Sequence, residues 1–326
     1  MTRPRFVVGT GRCGSTLLTQ MLGRHRSMCG LNEVFTGLDW SARFPTEPVS
    51  GATVADILGA PNEVIQMVVG KGYDAEEVTY PFDGRGRRRR GDPLPWILTS
   101  TLGHLHDDPD GYWDELAAWM RSRPVMPIAA HYAAFFDRLT RDAGKDAWVE
   151  RSGSSIDYVG DLLALFPDAL VVHIWRTPEE VALSMRRHPF YRLAVQLTYG
   201  VMPPGVDPDD DDAVVSGWLR GDPPAALYGR YVSDQLAHGE AALSSLPADR
   251  LDSVRFERVV ADPRRAMTEL SDFLELPADP EFVADAAALV RGSPLPRVGD
   301  LASDERADLE TACSVGREVL GRLGLG

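Results

Sequence analysis

The chain has 326 residues, of which 44% are hydrophobic and 25% charged, a balance that is ordinary for a globular protein. Its formal net charge is −14, which argues against general nucleic-acid binding, and no apolar run approaches the roughly 20 residues that span a bilayer. We therefore expect neither a nucleic-acid partner nor membrane insertion, and a chain of this length can bury a sizeable core.

Cysteine usage indicates a reducing compartment. The three cysteines are scattered, and no pair has the spacing of metal ligands. Residues 1–5 lead directly into the first predicted strand, so we expect no apolar signal segment. The sequence thus predicts a cytoplasmic protein without a metal site, and it leaves the oligomeric state open.

The most informative segment follows the first predicted strand, residues 6–8, which ends at a glycine-rich turn with a helical pattern directly after it. This arrangement holds phosphates on backbone N–H groups at a helix N-terminus. The spacing from Gly9 to Gly14 is that of a nucleotide-triphosphate P-loop, but Ser15 stands where that loop has Lys. The cation lies inside the loop instead, as Arg12. The segment therefore predicts an anion site that differs from an ATP–magnesium site.

The regular pattern weakens between residues 40 and 145, after a second short strand or turn predicted over 28–34. Prolines interrupt this segment. Helical stretches are predicted near 53–69, 112–122 and 129–143. We interpret 40–145 as a helical insertion that carries substrate specificity, within a single α/β domain that covers residues 1–326.

Strands and helices alternate again in the second half of the chain. The apolar run over 169–175 is typical of a buried parallel strand, and Thr177 and Pro178 are suited to begin a helix that ends near Arg187. The other predicted elements are strands over 148–152 and 254–257, helices over 155–166, 225–246, 263–275 and 304–323, and a loop over 203–212. The alternation predicts an α/β fold: a P-loop-like three-layer sandwich with a mainly parallel central sheet.

Two blocks resemble the phosphate sites of sulfotransferases that use 3′-phosphoadenosine-5′-phosphosulfate (PAPS). Residues 9–18 resemble the 5′-phosphosulfate loop, closest to the Arg-Ser-Gly-Ser/Thr-Thr form of carbohydrate, tyrosylprotein and bacterial members, with Cys13 at the usual Ser. The segment from Arg176 to Ser184 resembles the 3′-phosphate site, and its spacing (184 − 176 = 8) is that of the family. Thr177 stands in place of the usual Asp.

Three later segments add to the resemblance. Residues 254–263 and 273–277 are similar to the family's Arg-Tyr-Glu-Asp-Leu…Asp-Pro and Phe-Leu-Gly-Leu-Pro blocks, and residues 293–299 resemble its C-terminal basic loop. The arginine run within 85–91 has no such counterpart. One basic run on an acidic protein is usually a solvated face. We therefore expect this run to be a solvated loop rather than a contact for an anionic acceptor.

The resemblance implies a sulfotransferase that moves the sulfuryl group of PAPS to a hydroxyl, less readily an amine, of a small-molecule or carrier-bound acceptor. It implies release of 3′-phosphoadenosine 5′-phosphate (PAP) and no metal requirement. The implied donor-binding residues are Gly11, Arg12, Cys13, Gly14, Ser15, Thr16, Arg176, Ser184 and Arg297. Two alternatives remain open: a P-loop kinase or NTPase, which the missing Lys disfavours, and a catalytically silent nucleotide-binding module on the same fold.

The resemblance also implies three catalytic residues, Glu33, Arg12 and Arg151. Glu33 follows Arg12 at the interval (33 − 12 = 21) at which the tyrosylprotein and trehalose sulfotransferases carry their catalytic Glu, and a carboxylate can take the acceptor's proton. Arg12 would stabilise the leaving oxygen. Arg151 stands where relatives have a Lys near the sulfate, with an ion pair to Glu150 or a neighbour as the alternative. Rival bases are His25, His104, His106 and His131.

Overall fold

The computed structural model of the protein describes residues 3–73, 75–277, 279–292 and 297–325. At its centre is a five-stranded sheet with the strand order β2-β3-β1-β4-β5, in which every pairing is parallel. The strands are β1 Arg5–Val8, β2 Met28–Asn32, β3 Ala147–Arg151, β4 Leu170–Trp175 and β5 Leu251–Arg255. The carboxyl ends of parallel strands meet at one edge of the sheet, which is where such folds bind ligands.

Helices cover both faces of the sheet, which is why β1, β3 and β4 are apolar along most of their length. The helices are α1 Ser15–Leu22, α2 Gly51–Gly59, α3 Glu63–Gly70, α4 Pro109–Arg121, α5 Ile128–Asp142, α6 Val159–Leu165, α7 Pro178–Arg187, α8 Pro189–Tyr199, α9 Asp211–Arg220, α10 Ala225–Ser244, α11 Phe256–Ala261, α12 Pro263–Phe273, α13 Pro280–Ala287, α14 Ser303–Ala312 and α15 Ser314–Arg322. Shorter helical segments are the π-helical turn Ile97–Thr101 and the 3-10 turns Leu102–His104, Ser155–Tyr158 and Val298–Asp300. The predicted α/β fold with a parallel sheet is confirmed.

The segment between β2 and β3 departs from the simple alternation. These two strands are neighbours in the sheet, yet α2 to α5 lie between them in the chain. The helix predicted over 53–69 is two helices, because Pro61 interrupts it and the Asn62 side chain accepts the Ile65 N–H at 3.0 Å to begin α3. Buried side chains of this segment, such as Trp96 and Tyr132, belong to the same hydrophobic core as the sheet.

Two predicted boundaries after residue 250 are wrong. Phe256, predicted as strand, begins α11 instead of continuing β5, and its ring packs on the loop after β1. The terminal helix predicted over 304–323 is interrupted at Cys313. There the Ser233 hydroxyl donates to the Ala312 carbonyl at 2.8 Å and accepts the Gly316 N–H at 3.2 Å, which satisfies the backbone groups that the break exposes.

Besides α11, the described residues contain three helices that were not predicted from the sequence: α8, α9 and α13. Two of them pack on a second apolar cluster, through Leu193 of α8 and Trp218 of α9. The loop predicted over 203–212 accordingly ends at Asp211, where α9 begins. Across the described ranges, every helix is too short or too polar to span a bilayer.

Candidate active site

Three arginines lie at the carboxyl edge of the sheet, after three adjacent strands. Arg12 is in the loop after β1, Arg151 is the last residue of β3, and Arg176 directly follows β4. They line one cavity of about 270 Å³, here named the arginine cavity. Residues predicted from separate segments line it together: Gly11, Arg12, Gly14, Ser15, Thr16, Glu33, Arg151, Arg176, Ser184 and Arg297. The parallel sheet therefore concentrates positive charge at one point.

The loop after β1 depends on its glycines. Gly14 has φ of 96°, in the left-handed region, and a Cβ there would also overlap the ring of Phe256. A Cβ at Gly11 would overlap the Tyr191 hydroxyl. Arg12 itself is left-handed with φ of 61°, which is uncommon for a residue that is not glycine and is found most often at functional sites.

Cys13 is the predicted loop residue whose side chain does not face the arginine cavity. The thiol is fully buried, donates to the Thr10 carbonyl at 2.8 Å, and has a pKa that burial raises above its usual value. It packs as a small apolar side chain in the core, because the preceding residue, Arg12, takes the exposed position of the turn. The backbone N–H of Cys13 is thus the group that could contact the donor, and the donor-binding role of Cys13 stays a prediction.

Glu33 and Arg151 contact each other directly. In the sheet Asn32 lies opposite Arg151, so Glu33 is the first residue beyond the paired strands, with φ of 59°. An Arg151 guanidinium N–H donates to Glu33 Oε1, and the pair is almost fully buried, with 3% and 5% of the side chains exposed. Arg151 also donates to Thr16 Oγ1 at 2.7 Å, which ties this ion pair to the loop after β1.

The second oxygen of Glu33 is held as well. Oε2 accepts the Gly153 N–H at 2.9 Å and the Thr36 hydroxyl. The ion pair of Arg151 is thus with Glu33, whereas the carboxyl of Glu150 accepts the Val34 N–H at 3.3 Å and a serine hydroxyl. Burial raises the pKa of Glu150 to about 8.

Arg12 has a partner that the sequence did not indicate. Its guanidinium lies 3.0 Å from Glu77 Oε1, and its Nε lies 3.5 Å from the Ser184 hydroxyl. The other Glu77 oxygen lies 3.1 Å from His188 Nε2. Burial by itself would raise the pKa of Glu77, but the hydrogen bond and charge of His188 and the charge of Arg12 lower it to about 2. No local motif around Glu77 or His188 could have found this contact.

Arg176, which also lines the arginine cavity, lies between two carboxylates. Its Nε is 3.0 Å from Glu257 Oε1 and its terminal nitrogen is 3.5 Å from Glu180 Oε2. Glu180 Oε1 also accepts the N–H groups of Arg297 at 2.6 Å and Val298 at 3.2 Å, so it joins α7 to the C-terminal segment. Residues 293–296 of the predicted basic loop lie outside the described residues.

A second cavity, of about 380 Å³, adjoins the first and is here named the aromatic cavity. Its aromatic lining consists of Trp40, Trp96, Tyr158, Phe190, Tyr191 and Tyr231. It shares Glu33, Glu77, Gly153 and Tyr191 with the arginine cavity. Over the described ranges, neither Lys nor Arg lines it. The two cavities thus differ sharply in charge and meet at two carboxylates.

The rival histidines do not line either cavity among the residues described. His25 lies 3.0 Å from the Pro277 carbonyl and His131 lies 3.0 Å from the Val49 carbonyl, so both are satisfied within the protein. His106 contacts backbone atoms of Asp108, and His104 has a pKa that burial lowers. Of the bases named from the sequence, Glu33 alone lies where the cavities meet, and His188, which was not among them, lines the aromatic cavity beside Glu77.

The predicted basic run does not contribute to these cavities either. Arg85 pairs with Asp83 and Arg87 with Asp114 at the exposed surface. No group of three or more His, Cys, Asp or Glu side chains in the part of the chain that the structure describes is arranged to hold a metal ion.

Comparison with known proteins adds to this geometry. The model of the sulfotransferase family matches residues 112–280, just over half of the chain. The chain belongs to the sulfotransferase family. Sulfuryl transfer is the activity of that family, and the match includes Arg151, Arg176 and Ser184 but not the loop after β1 or Glu33. No protein with a curated description matches the chain in sequence.

Solved structures with the same fold are also sulfotransferases. The sulfotransferase domain from the curacin biosynthetic pathway is 15% identical, with a TM-score of 0.54 over 100% of this chain and 99% of that chain. The domain from the Synechococcus PCC 7002 olefin synthase is 18% identical, with a TM-score of 0.49 over 99% and 96%. Sulfotransferase STF9 from Mycobacterium avium is 18% identical, with a TM-score of 0.49 over 98% and 76%. The shared fold is taken from the first of these, whose TM-score is the highest.

Proposed function

We propose that the protein transfers the sulfuryl group of PAPS to a hydroxyl of a largely apolar, uncharged small molecule. The observation that carries this proposal is the meeting of two unlike cavities at Glu33. One is lined by arginines and backbone N–H groups of a glycine loop, as an anionic donor requires, and the other by aromatic rings. A reaction between an anionic donor and an apolar acceptor needs a charged site and an apolar site that meet at one point.

The arginine cavity would take the donor with its two anionic ends apart. The 5′-phosphosulfate would lie on residues 9–16, where Arg12 and the N-terminus of α1 supply hydrogen-bond donors. The 3′-phosphate would lie near Arg176 and Ser184, with Arg297 at the same cavity wall. No metal is needed in this arrangement, because guanidinium and backbone N–H groups supply the positive field.

The chemistry follows from this placement. The acceptor oxygen forms a bond to sulfur while the bond between sulfur and the bridging phosphate oxygen breaks, with the two oxygens in line. Arg12 would stabilise the charge that develops on the leaving oxygen, and the product nucleotide would be PAP. The acceptor's proton would pass to Glu33, whose carboxylate lines both cavities. Arg151 would hold Glu33 in position through their ion pair.

The aromatic cavity would take the acceptor. Its volume lies at the lower end of the range for small-molecule sites, and its walls come from segment 40–145 and from α8. This supports the interpretation of residues 40–145 as a specificity insertion within one domain. Glu33 and Glu77 are the charged side chains of the lining among the described residues, apart from His188 if it is protonated, so anionic acceptors would be repelled.

Calorimetry with PAP, with and without a chelator, followed by transfer assays, tests the proposal. PAP should bind without a divalent metal and raise the melting temperature by linkage. A screen of uncharged hydroxylated compounds at saturating PAPS should give a product heavier by one SO₃ group. A strict magnesium requirement would return the chain to the kinase alternative, and PAP binding without transfer to any acceptor would favour a silent nucleotide-binding module.

A further inference from the structure

The Arg12–Glu77 ion pair occupies the position where the donor's anion would bind. Arg12 lies 3.0 Å from Glu77 Oε1, and only 12% of the Glu77 side chain is exposed. Glu77 lines the arginine cavity beside the glycine loop, so its carboxylate is inside the anion site. The contact joins two segments that are 65 residues apart in the chain.

A carboxylate and a phosphosulfate would compete for the N–H donors of Arg12, whose side chain is 24% exposed. Two negative charges a few ångströms apart repel strongly when water is excluded. While Glu77 is paired with His188 and Arg12, its carboxyl is ionised at neutral pH, because the hydrogen bond and charge of His188 and the charge of Arg12 lower its pKa to about 2. Movement of Glu77 away from Arg12 would relieve this repulsion when a donor binds.

Displacement is compatible with the local structure. Glu77 lies in the turn-rich segment between α3 and the π-helical turn Ile97–Thr101, not within a helix or strand. Its second oxygen keeps a partner in His188 when the contact with Arg12 is broken. The carboxylate can then leave Arg12 without becoming a buried charge with no partner.

We propose that Glu77 is an internal competitor for Arg12 that determines which anions the arginine cavity accepts. This inference rests on the proposed function, since the anion that it favours is the donor's. A ligand bound only at the glycine loop must break the ion pair without other gains. Both kinds of ligand bear the same cost, so Glu77 weakens a simple anion below the concentration at which it occupies the loop, whereas a donor anchored also at Arg176 and Ser184 still binds.

The test compares Glu77→Gln with the matched control Glu76→Gln. Glu76 lines the same cavity, but within the described ranges it makes no hydrogen bond or ion pair. Calorimetry would use three probes: PAP, which reaches both ends of the cavity, inorganic phosphate, which fits the loop, and adenosine 3′-phosphate, which lacks the 5′ anion. Circular dichroism and melting temperature would establish that both variants fold.

We expect Glu77→Gln to bind PAP about tenfold or more tightly than the parent and to gain measurable phosphate binding, because Arg12 no longer has a charged partner. Adenosine 3′-phosphate should bind within about twofold of the parent, as should all three probes to Glu76→Gln. In an Arg12→Ala background, the effect of Glu77→Gln on PAP should vanish.

Each other outcome overturns the inference. Equal PAP affinity in Glu77→Gln and the parent, or equal gains in both Gln variants, would show that Glu77 does not compete for Arg12. An equal gain for adenosine 3′-phosphate would mean a general change of the cavity. PAP binding that is independent of Glu77 leaves the proposed function intact, whereas failure of PAP to bind any variant overturns both.

Discussion

The two cavities meet at the same carboxylates, yet they are built from different kinds of structure. The arginine cavity consists mainly of residues that directly follow strands, at fixed positions of a parallel sheet. The aromatic cavity consists of side chains from segment 40–145, from α8 and from α10, brought together by packing over long sequence distances. The edge of the sheet therefore fixes the positions of the residues in the arginine cavity, whereas the side chains of the aromatic cavity can change without disturbing the sheet.

This difference has a functional consequence. Under the proposed function, the donor site is built on strand ends, which the sheet fixes, whereas the acceptor site is built on walls that can vary without changing the sheet. Changes in the arginine cavity should therefore affect transfer or donor affinity strongly, and changes in the aromatic cavity should affect acceptor use alone. The predictions below test that separation, starting with the largest effect.

Glu33→Gln should have the largest effect, at the point that both cavities share. Gln can keep the hydrogen bonds from Gly153 and Arg151 but cannot take a proton, so turnover should fall by roughly 10²–10⁴-fold, with PAP affinity nearly unchanged. Transfer rates at saturating PAPS and calorimetry with PAP measure this, with Glu76→Gln as control. Unchanged turnover would exclude Glu33 as the base, and loss of both turnover and PAP affinity would make it a structural partner of Arg151.

Arg176→Ala should lower PAP affinity by roughly 2–4 kcal/mol, because it removes the proposed 3′-phosphate partner and one cationic partner of the carboxylates of Glu180 and Glu257. The preference for PAP over adenosine 5′-phosphate should disappear. Arg255→Ala is the matched control: it also pairs with Glu257 but is half exposed and outside the arginine cavity, so it should cost under about 1 kcal/mol. A variant that keeps the full preference for the 3′-phosphate would refute the role of Arg176.

The same contrast explains how much the sequence could predict. The loop after β1, Glu33, Arg151 and Arg176 each lie next to a short apolar run, so local patterns placed them at strand ends, and a parallel sheet brings strand ends together. The sequence could not show the pairing of Arg151 with Glu33 rather than Glu150, since that depends on the register of two strands that are distant in the chain.

Local sequence patterns could not predict the site residues that only tertiary packing brings to the cavities. Glu77 and His188 have no motif, and Glu77 contacts both Arg12 and His188 only because their segments fold over the sheet edge. The aromatic residues of the second cavity look like ordinary core side chains when read along the chain. The helix α8, which carries Tyr191 into both cavities, was itself not predicted; its buried side chains are divided between the main core, which holds Val195, and the second cluster, which holds Leu193.

Leu197→Glu should impair acceptor use while leaving the donor site unchanged. Leu197 lines the aromatic cavity but is 46% exposed, so the variant should fold, and a carboxylate there would face an apolar acceptor. We expect kcat/KM for an apolar acceptor to fall about three- to tenfold with PAP affinity unchanged. Val315→Glu is the matched control, since Val315 is 49% exposed and outside both cavities. Equal effects of the two variants, or weaker PAP binding in Leu197→Glu, would contradict an acceptor role for this cavity.

Glu150→Gln should have the smallest effect, a change in how stability depends on pH. Burial raises the pKa of Glu150 to about 8, whereas a Glu in the unfolded chain titrates near about 4.3. Between about pH 5 and pH 8 the Glu150 side chain is ionised in the unfolded chain but keeps its proton in the folded protein. The free energy of unfolding that Glu150 contributes therefore falls as pH rises through this range. Gln does not titrate, and its carbonyl can still accept the Val34 N–H and the Ser152 hydroxyl. The melting temperature of the variant minus that of the parent should therefore rise by a few degrees (~1 kcal/mol or more) from pH 5 to pH 8. Other groups with shifted pKa values cancel in this difference, so parallel melting profiles of the two proteins would show that Glu150 is ionised in the folded state at neutral pH.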